Sequence, residues 1–154
     1  MSSNAPLDRP VRLILIGAGN RGNTYCELAL ERPDLCQLVA VAEPRDFTRS
    51  KFVEKYKISA ANTFKSWKEI VALPTPIEAD GVLICTLDQY HLEPAIAFAN
   101  LKYNILLEKP MSLTEKDCQQ IYDAISQNQI KYFVVCHVLR YHRLWHKVKS
   151  YIHD

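Results

Sequence analysis

Val11-Arg12-Leu13-Ile14-Leu15-Ile16-Gly17-Ala18-Gly19-Asn20-Arg21-Gly22 is the stretch on which the reading of this chain turns. Its first six residues are a short, largely aliphatic run that closes on glycine, the profile of a strand buried on both faces of a parallel sheet. Gly17-x-Gly19-x-x-Gly22 follows directly and opens a helical pattern. In that setting each glycine has its own reason. Gly17 permits the tight turn, Gly19 lets the backbone approach a pyrophosphate, and Gly22 lets the helix pack close to the sheet. The amino end of that helix attracts phosphate, with Asn20 and Arg21 as further candidate contacts. Three of the chain's four glycines stand in this one turn, which favours a phosphate-binding role over a purely structural one.

Working outward, residues 20–31 place Tyr25, Leu28 and Ala29 on the inner face of a helix that Pro33 stops. A second buried strand over residues 38–42 is followed by a helix over 47–56, with Phe47, Phe52, Val53 and Tyr56 inward. A short strand at Thr63–Phe64 precedes a helix over 66–72, capped by Ser66 with Glu69 three residues on, and Pro74 and Pro76 close the unit. The second half repeats the alternation: a strand over 81–86, an alanine-rich helix over 91–101 and a strand over 103–107. A helix opened by Thr114 and Asp117 then carries Cys118, Ile121, Tyr122 and Ile125 inward, before a last strand over 132–136. Alternating strands and helices demand a parallel sheet covered on both faces. The fold class predicted is therefore α/β, a single-domain, doubly wound, mostly parallel six-stranded sheet of Rossmann type, with ligand at the carboxyl ends of the strands. The expected organisation is a polar tail over 1–10, a dinucleotide-binding domain over 11–137, and a crossover helix over 138–154. Leu144, Val148 and Ile152 form an apolar stripe on that helix.

Composition narrows the function. Of 154 residues 48% are apolar and 23% charged, ordinary globular composition, and the net charge of +2 shows no like-charge block suited to nucleic acid or an anionic membrane. The first residues lack the basic start and apolar core of a signal peptide, so a cytoplasmic location is expected. Cys26, Cys36, Cys85, Cys118 and Cys136 are scattered without a Cys-x-x-Cys pair, so neither a zinc site nor a disulfide framework is indicated, and none is given a function. His142 and His146 have the spacing of two zinc ligands, but no third ligand accompanies them, and metal is rejected.

Glu43 ends the second strand about 20 residues past the last glycine, where a carboxylate accepts both ribose hydroxyls. It would repel a 2′-phosphate, so NAD is expected ahead of NADP, while Arg45 is placed to stack on adenine or to hold that phosphate. Thr86-Leu87 after the fourth strand, His91 at the next helix start and Glu108-Lys109-Pro110 after the fifth strand lie along the same edge.

The order of these pieces, and above all Glu108-Lys109-Pro110 in register with the glycine turn, resembles the Gfo/Idh/MocA family, which includes glucose-fructose oxidoreductase and inositol 2-dehydrogenase. The likeness runs from about residue 11 to 152, with Leu87 where the family has proline. It implies that Lys109 is the catalytic residue, reaching the nicotinamide ribose and the substrate, where its charge polarises a hydroxyl. It implies too that Glu108 orders the ribose edge, that Pro110 follows a cis peptide, that His91 stands near the nicotinamide, and that Arg140 faces the substrate side. The implied activity is NAD-dependent hydride transfer at a CH–OH group of a sugar or polyol, in a protein able to form oligomers. Family members carry a second α/β domain holding the substrate pocket, which these 154 residues are expected to lack, leaving an incomplete catalyst. The alternative is a non-catalytic dinucleotide-binding regulatory module. A methyltransferase on the same sheet ranks last, because it gives Glu108-Lys109-Pro110 no role.

Overall fold

A computed structural model describes residues 8–153; the remainder of the expected amino-terminal tail and Asp154 lie outside the described residues. Strands β1 (Val11–Ile16), β2 (Cys36–Ala42), β3 (Thr63–Phe64), β4 (Gly81–Ile84), β5 (Asn104–Leu107) and β6 (Phe133–Val135) form one sheet in the order β3-β2-β1-β4-β5-β6. Every neighbouring pair is parallel. Parallel neighbours need crossovers, which helices supply. These are α1 (Asn20–Cys26), α2 (Leu28–Glu31), α3 (Asp46–Tyr56), α4 (Trp67–Val71), α5 (Leu92–Asn100) and α6 (Glu115–Gln127), with α7 (Arg143–His153) beyond β6. The chain moves from β1 toward one edge, then returns to β4 and moves toward the other. A crevice therefore opens between the carboxyl ends of β1 and β4, where the winding reverses.

Alternating strand residues feed two cores. Ile14, Ile16, Val82, Ile84, Ile105 and Leu107 meet Ile70, Phe98 and Ile121 from α4, α5 and α6. Leu15, Leu38, Val41 and Leu83 meet Cys26 and Phe52 from α1 and α3. Burying each of these large side chains contributes about 1.5–3 kcal/mol, enough to make the sheet a rigid support for the loops at its edge. Two helix starts are fastened as their sequences predict. Ser66 accepts from the Lys68 N–H at 3.2 Å while Glu69 accepts from the Ser66 N–H at 2.9 Å, and Thr114 accepts from the Asp117 N–H at 3.1 Å.

Several local expectations are corrected. The helix expected over 20–31 is divided at Glu27, where the Leu30 N–H bonds the Glu27 carbonyl in a tighter turn. Leu28, expected inside, is exposed on the short α2. Phe47, also expected inside, is 72% exposed in the first turn of α3, whose buried side chain is Phe52; the Lys51 ammonium lies 4.4 Å from its ring centre. Tyr122 is likewise exposed, since Ile121, Ala124 and Ile125 fill the inner face of α6. The stripe of α7 is present, with Leu144 and Ile152 exposed. No helix among the described residues is long and apolar enough to cross a membrane.

Candidate functional site

The glycine turn shows three different steric demands. Gly17 has φ +91°, a left-handed conformation, and a Cβ there would stand 2.7 Å from the Cys85 carbonyl oxygen of the strand alongside. A Cβ on Gly22 would stand 2.2 Å from the Gly17 carbonyl oxygen and 3.2 Å from the Leu15 methyls. Gly19 differs: its nearest neighbour would be the Arg45 guanidinium at 3.8 Å. The space over Gly19 is thus open, and no side chain caps α1, whose first N–H groups have no partner a turn earlier. Two glycines hold the turn's shape, and the third leaves room for a ligand to come close. Asn20 and Arg21 are exposed on the same turn.

Glu43, 2% exposed, sits just past β2 and ties this turn to its neighbour. One carboxylate oxygen accepts from the Ala18 N–H at 2.9 Å, and the other accepts from the Arg45 N–H at 3.0 Å. The Arg45 guanidinium adds bonds at 2.7 and 3.1 Å. Burial by itself pushes the carboxyl up and is the largest single influence. The hydrogen bonds from the Arg45 side chain, the Arg45 backbone and Ala18 together outweigh it, and Glu43 ends below the ordinary carboxylate range. Arg45 is therefore committed to Glu43, although its side chain remains 62% exposed. Arg49, which sequence reasoning missed, fixes the same corner by donating to the Glu43 carbonyl at 2.6 Å.

Beside the turn lies a cavity of about 590 Å³, lined by Ile16 and Gly17 of β1 and its turn, Ala42 and Pro44 after β2, Trp67 of α4, and Thr86 and Tyr90 after β4. Thr86 lines the cavity, whereas Leu87, expected beside it, is not part of the lining and is exposed.

At the other end of the crevice, Glu108 is buried at the end of β5 and accepts from the Lys109 N–H at 2.8 Å. The Lys109–Pro110 peptide is cis, as the resemblance implies, and Lys109 is exposed. His91 stands at the amino end of α5. It is 0% exposed, with Nδ1 2.8 Å from the Pro110 carbonyl oxygen and Nε2 3.2 Å from the Thr86 carbonyl oxygen. Both facing atoms are carbonyl acceptors, so a ring with one N–H donates to one of them at a time, and His91 is packed between the loop after β4 and the loop after β5. Arg140 is exposed on the 3-10 segment Val138–Tyr141 beyond β6.

Tyr25, read from the sequence as core, donates its hydroxyl to Glu108, and the Arg21 Nε lies 3.8 Å from the same carboxylate oxygen. The available signal was the four-residue spacing of Arg21 and Tyr25, which puts both on one face of α1. Burial first, and then the Glu108 bond, push the Tyr25 phenol far above its usual range. Cys26, Cys36, Cys85 and Cys136 are buried free thiols whose pKa values burial raises, so they stay protonated.

A family model described as an oxidoreductase family with an NAD-binding Rossmann fold (GFO_IDH_MocA) matches residues 11–136. Among curated proteins, trans-1,2-dihydrobenzene-1,2-diol dehydrogenase of Danio rerio is 32% identical over 94 residues, which are 61% of this chain and 27% of that protein. Myo-inositol 2-dehydrogenase of Thermotoga maritima is 28% identical over 123 residues, 80% of this chain and 35% of that protein. The chain thus spans about a third of the length of these relatives. Among solved structures, the WlbA dehydrogenase of Bordetella pertussis in complex with NADH and UDP-GlcNAcA superimposes with a TM-score of 0.82 at 21% identity, covering 95% of this chain and 42% of that one, a likeness of fold.

Proposed function

The chain belongs to the Gfo/Idh/MocA oxidoreductase family and carries its NAD-binding Rossmann domain, and from that premise we propose that it serves a dehydrogenase moving hydride between NAD and an alcohol carbon of a sugar or polyol. The observation that carries the cofactor reading is the open space over Gly19, set between two sterically obligatory glycines and beside a cavity at the sheet's winding reversal. The residues present fit a dinucleotide. The turn's backbone takes the pyrophosphate, Glu43 takes the adenosine ribose, and Thr86, Glu108 and Lys109 lie along the way to the nicotinamide ribose. Bound there, the nicotinamide supplies the hydride acceptor or donor.

Preference for NAD over NADP rests on Glu43. Its four lone-pair directions are filled by Ala18 and Arg45, so ribose hydroxyls reach it when the exposed Arg45 side chain swings aside. Glu43 is buried, so its charge cannot be left unpaired when Arg45 withdraws; the two ribose hydroxyls take over as donors to the same oxygens, replacing the guanidinium bonds. A 2′-phosphate would instead meet a buried carboxylate held ionised. Lys109, exposed at the other end, is the residue proposed to touch substrate: its ammonium stabilises negative charge on the reacting hydroxyl oxygen.

Calorimetric titration of the 154-residue chain with NAD and NADP tests this reading. NAD is expected to bind more tightly, and Glu43→Ala to narrow the ratio. No heat with either dinucleotide would remove the cofactor assignment, and an unchanged ratio in Glu43→Ala would remove Glu43 from it.

A further inference from the structure

We infer that Tyr25 is a positioning residue that couples the glycine-turn helix to Lys109 through the carboxylate of Glu108. The inference rests on the proposed role of Lys109, but its geometry stands independently. Glu108 is 5% exposed, and its two oxygens are divided between two parts of the molecule. One takes the Tyr25 hydroxyl, with the Arg21 guanidinium 3.8 Å away, both from α1. The other takes the Lys109 N–H at 2.8 Å. A buried carboxylate keeps one orientation only when enough donors converge on it. Of those donors, Arg21 is distant and half exposed, and the Lys109 N–H is the group being positioned. Tyr25 is therefore what fixes the carboxylate plane, and the plane in turn fixes where the backbone of Lys109 lies.

Tyr25 sits one turn beyond Gly22 on α1, so the element that carries the phosphate-binding turn also sets the residue at the far end of the crevice. The ligand expected to read both ends at once is a nicotinamide dinucleotide. Removing the hydroxyl leaves Glu108 with a vacant acceptor, free to rotate toward Arg21 and release the Lys109 N–H.

The test compares the wild-type chain with Tyr25→Phe, Glu108→Gln and the double variant by two measurements. One is the amide resonance and hydrogen exchange of Lys109 in the ligand-free chain, and the other is NADH affinity from nicotinamide fluorescence. Tyr25→Phe is expected to shift the Lys109 amide, speed its exchange and weaken NADH roughly three- to tenfold, with the double variant no worse than Glu108→Gln alone, as acting through one carboxylate requires. An unmoved Lys109 amide in Tyr25→Phe, or additive losses in the double variant, would overturn the inference. If Tyr25→Phe does not fold, Tyr25→Met takes its place on the same amide: a shifted, faster-exchanging Lys109 amide supports the relay and an unmoved one overturns it. A wild-type chain that leaves NADH fluorescence unchanged would defeat the cofactor reading, and the Lys109 amide comparison would still decide on Tyr25.

Discussion

Replacing the three turn glycines by alanine one at a time should separate folding from binding. Gly19 has φ −73° and extended ψ, which alanine adopts freely, and its Cβ would meet nothing nearer than 3.8 Å. Gly19→Ala should therefore melt within about 0.5 kcal/mol of wild type, like an ordinary surface substitution. The same methyl group occupies the open space over the turn, and holding a pyrophosphate off by the width of a methyl forfeits charge-assisted bonds worth about 3 kcal/mol, roughly a hundredfold in affinity. Gly22→Ala should do the reverse. Its Cβ would stand 2.2 Å from a backbone oxygen that cannot rotate away, so α1 must lift off β1. Overpacking of this kind costs about 1–3 kcal/mol or more, which for a chain of this size lowers the melting temperature by roughly 3–12 °C. Thermal melting by circular dichroism and NADH fluorescence titration measure the two effects. A Gly19→Ala chain that binds NADH as wild type does, or a Gly22→Ala chain that melts as wild type does, would refute the assignment of separate roles.

Two further outcomes concern the groups that hold the site together. Because the folded pKa of Glu43 lies below its unfolded value near about 4.3, its contribution to stability is fully present above that value and fades as pH falls through the lower folded one. The melting difference between wild type and Glu43→Gln should accordingly shrink in acid; a difference that stays constant from pH 7 down to pH 3 would contradict the linkage. His91→Leu should lower stability by about 1–3 kcal/mol, since it removes the buried donor that lies between the Thr86 and Pro110 carbonyls, and His91→Gln should recover part of the loss. Equal melting of His91→Leu and wild type would show that this donor contributes nothing.

The glycine turn, the order of strands and helices, the caps at Ser66 and Thr114, and the placement of Glu43 and Lys109 at the carboxyl edge were legible in the residues themselves. Each depends on local physics: φ at Gly17, the period of buried runs, hydrogen bonds spanning three residues, and the rule that parallel strands present their carboxyl ends together. Tertiary structure decided everything that hinges on which surface meets which. Phe47 and Tyr122 satisfy helical periodicity but fall outside the patch the sheet covers, because periodicity gives a face and not its extent. His91 became buried once α5 packed its start against the loop holding Thr86 and the loop holding Pro110, 19 residues beyond the histidine. Tyr25 found Glu108 across 83 residues of sequence. No short-range pattern records such pairings, since they arise only when α1, β5 and the loops at the sheet edge are brought together by the packing of the core.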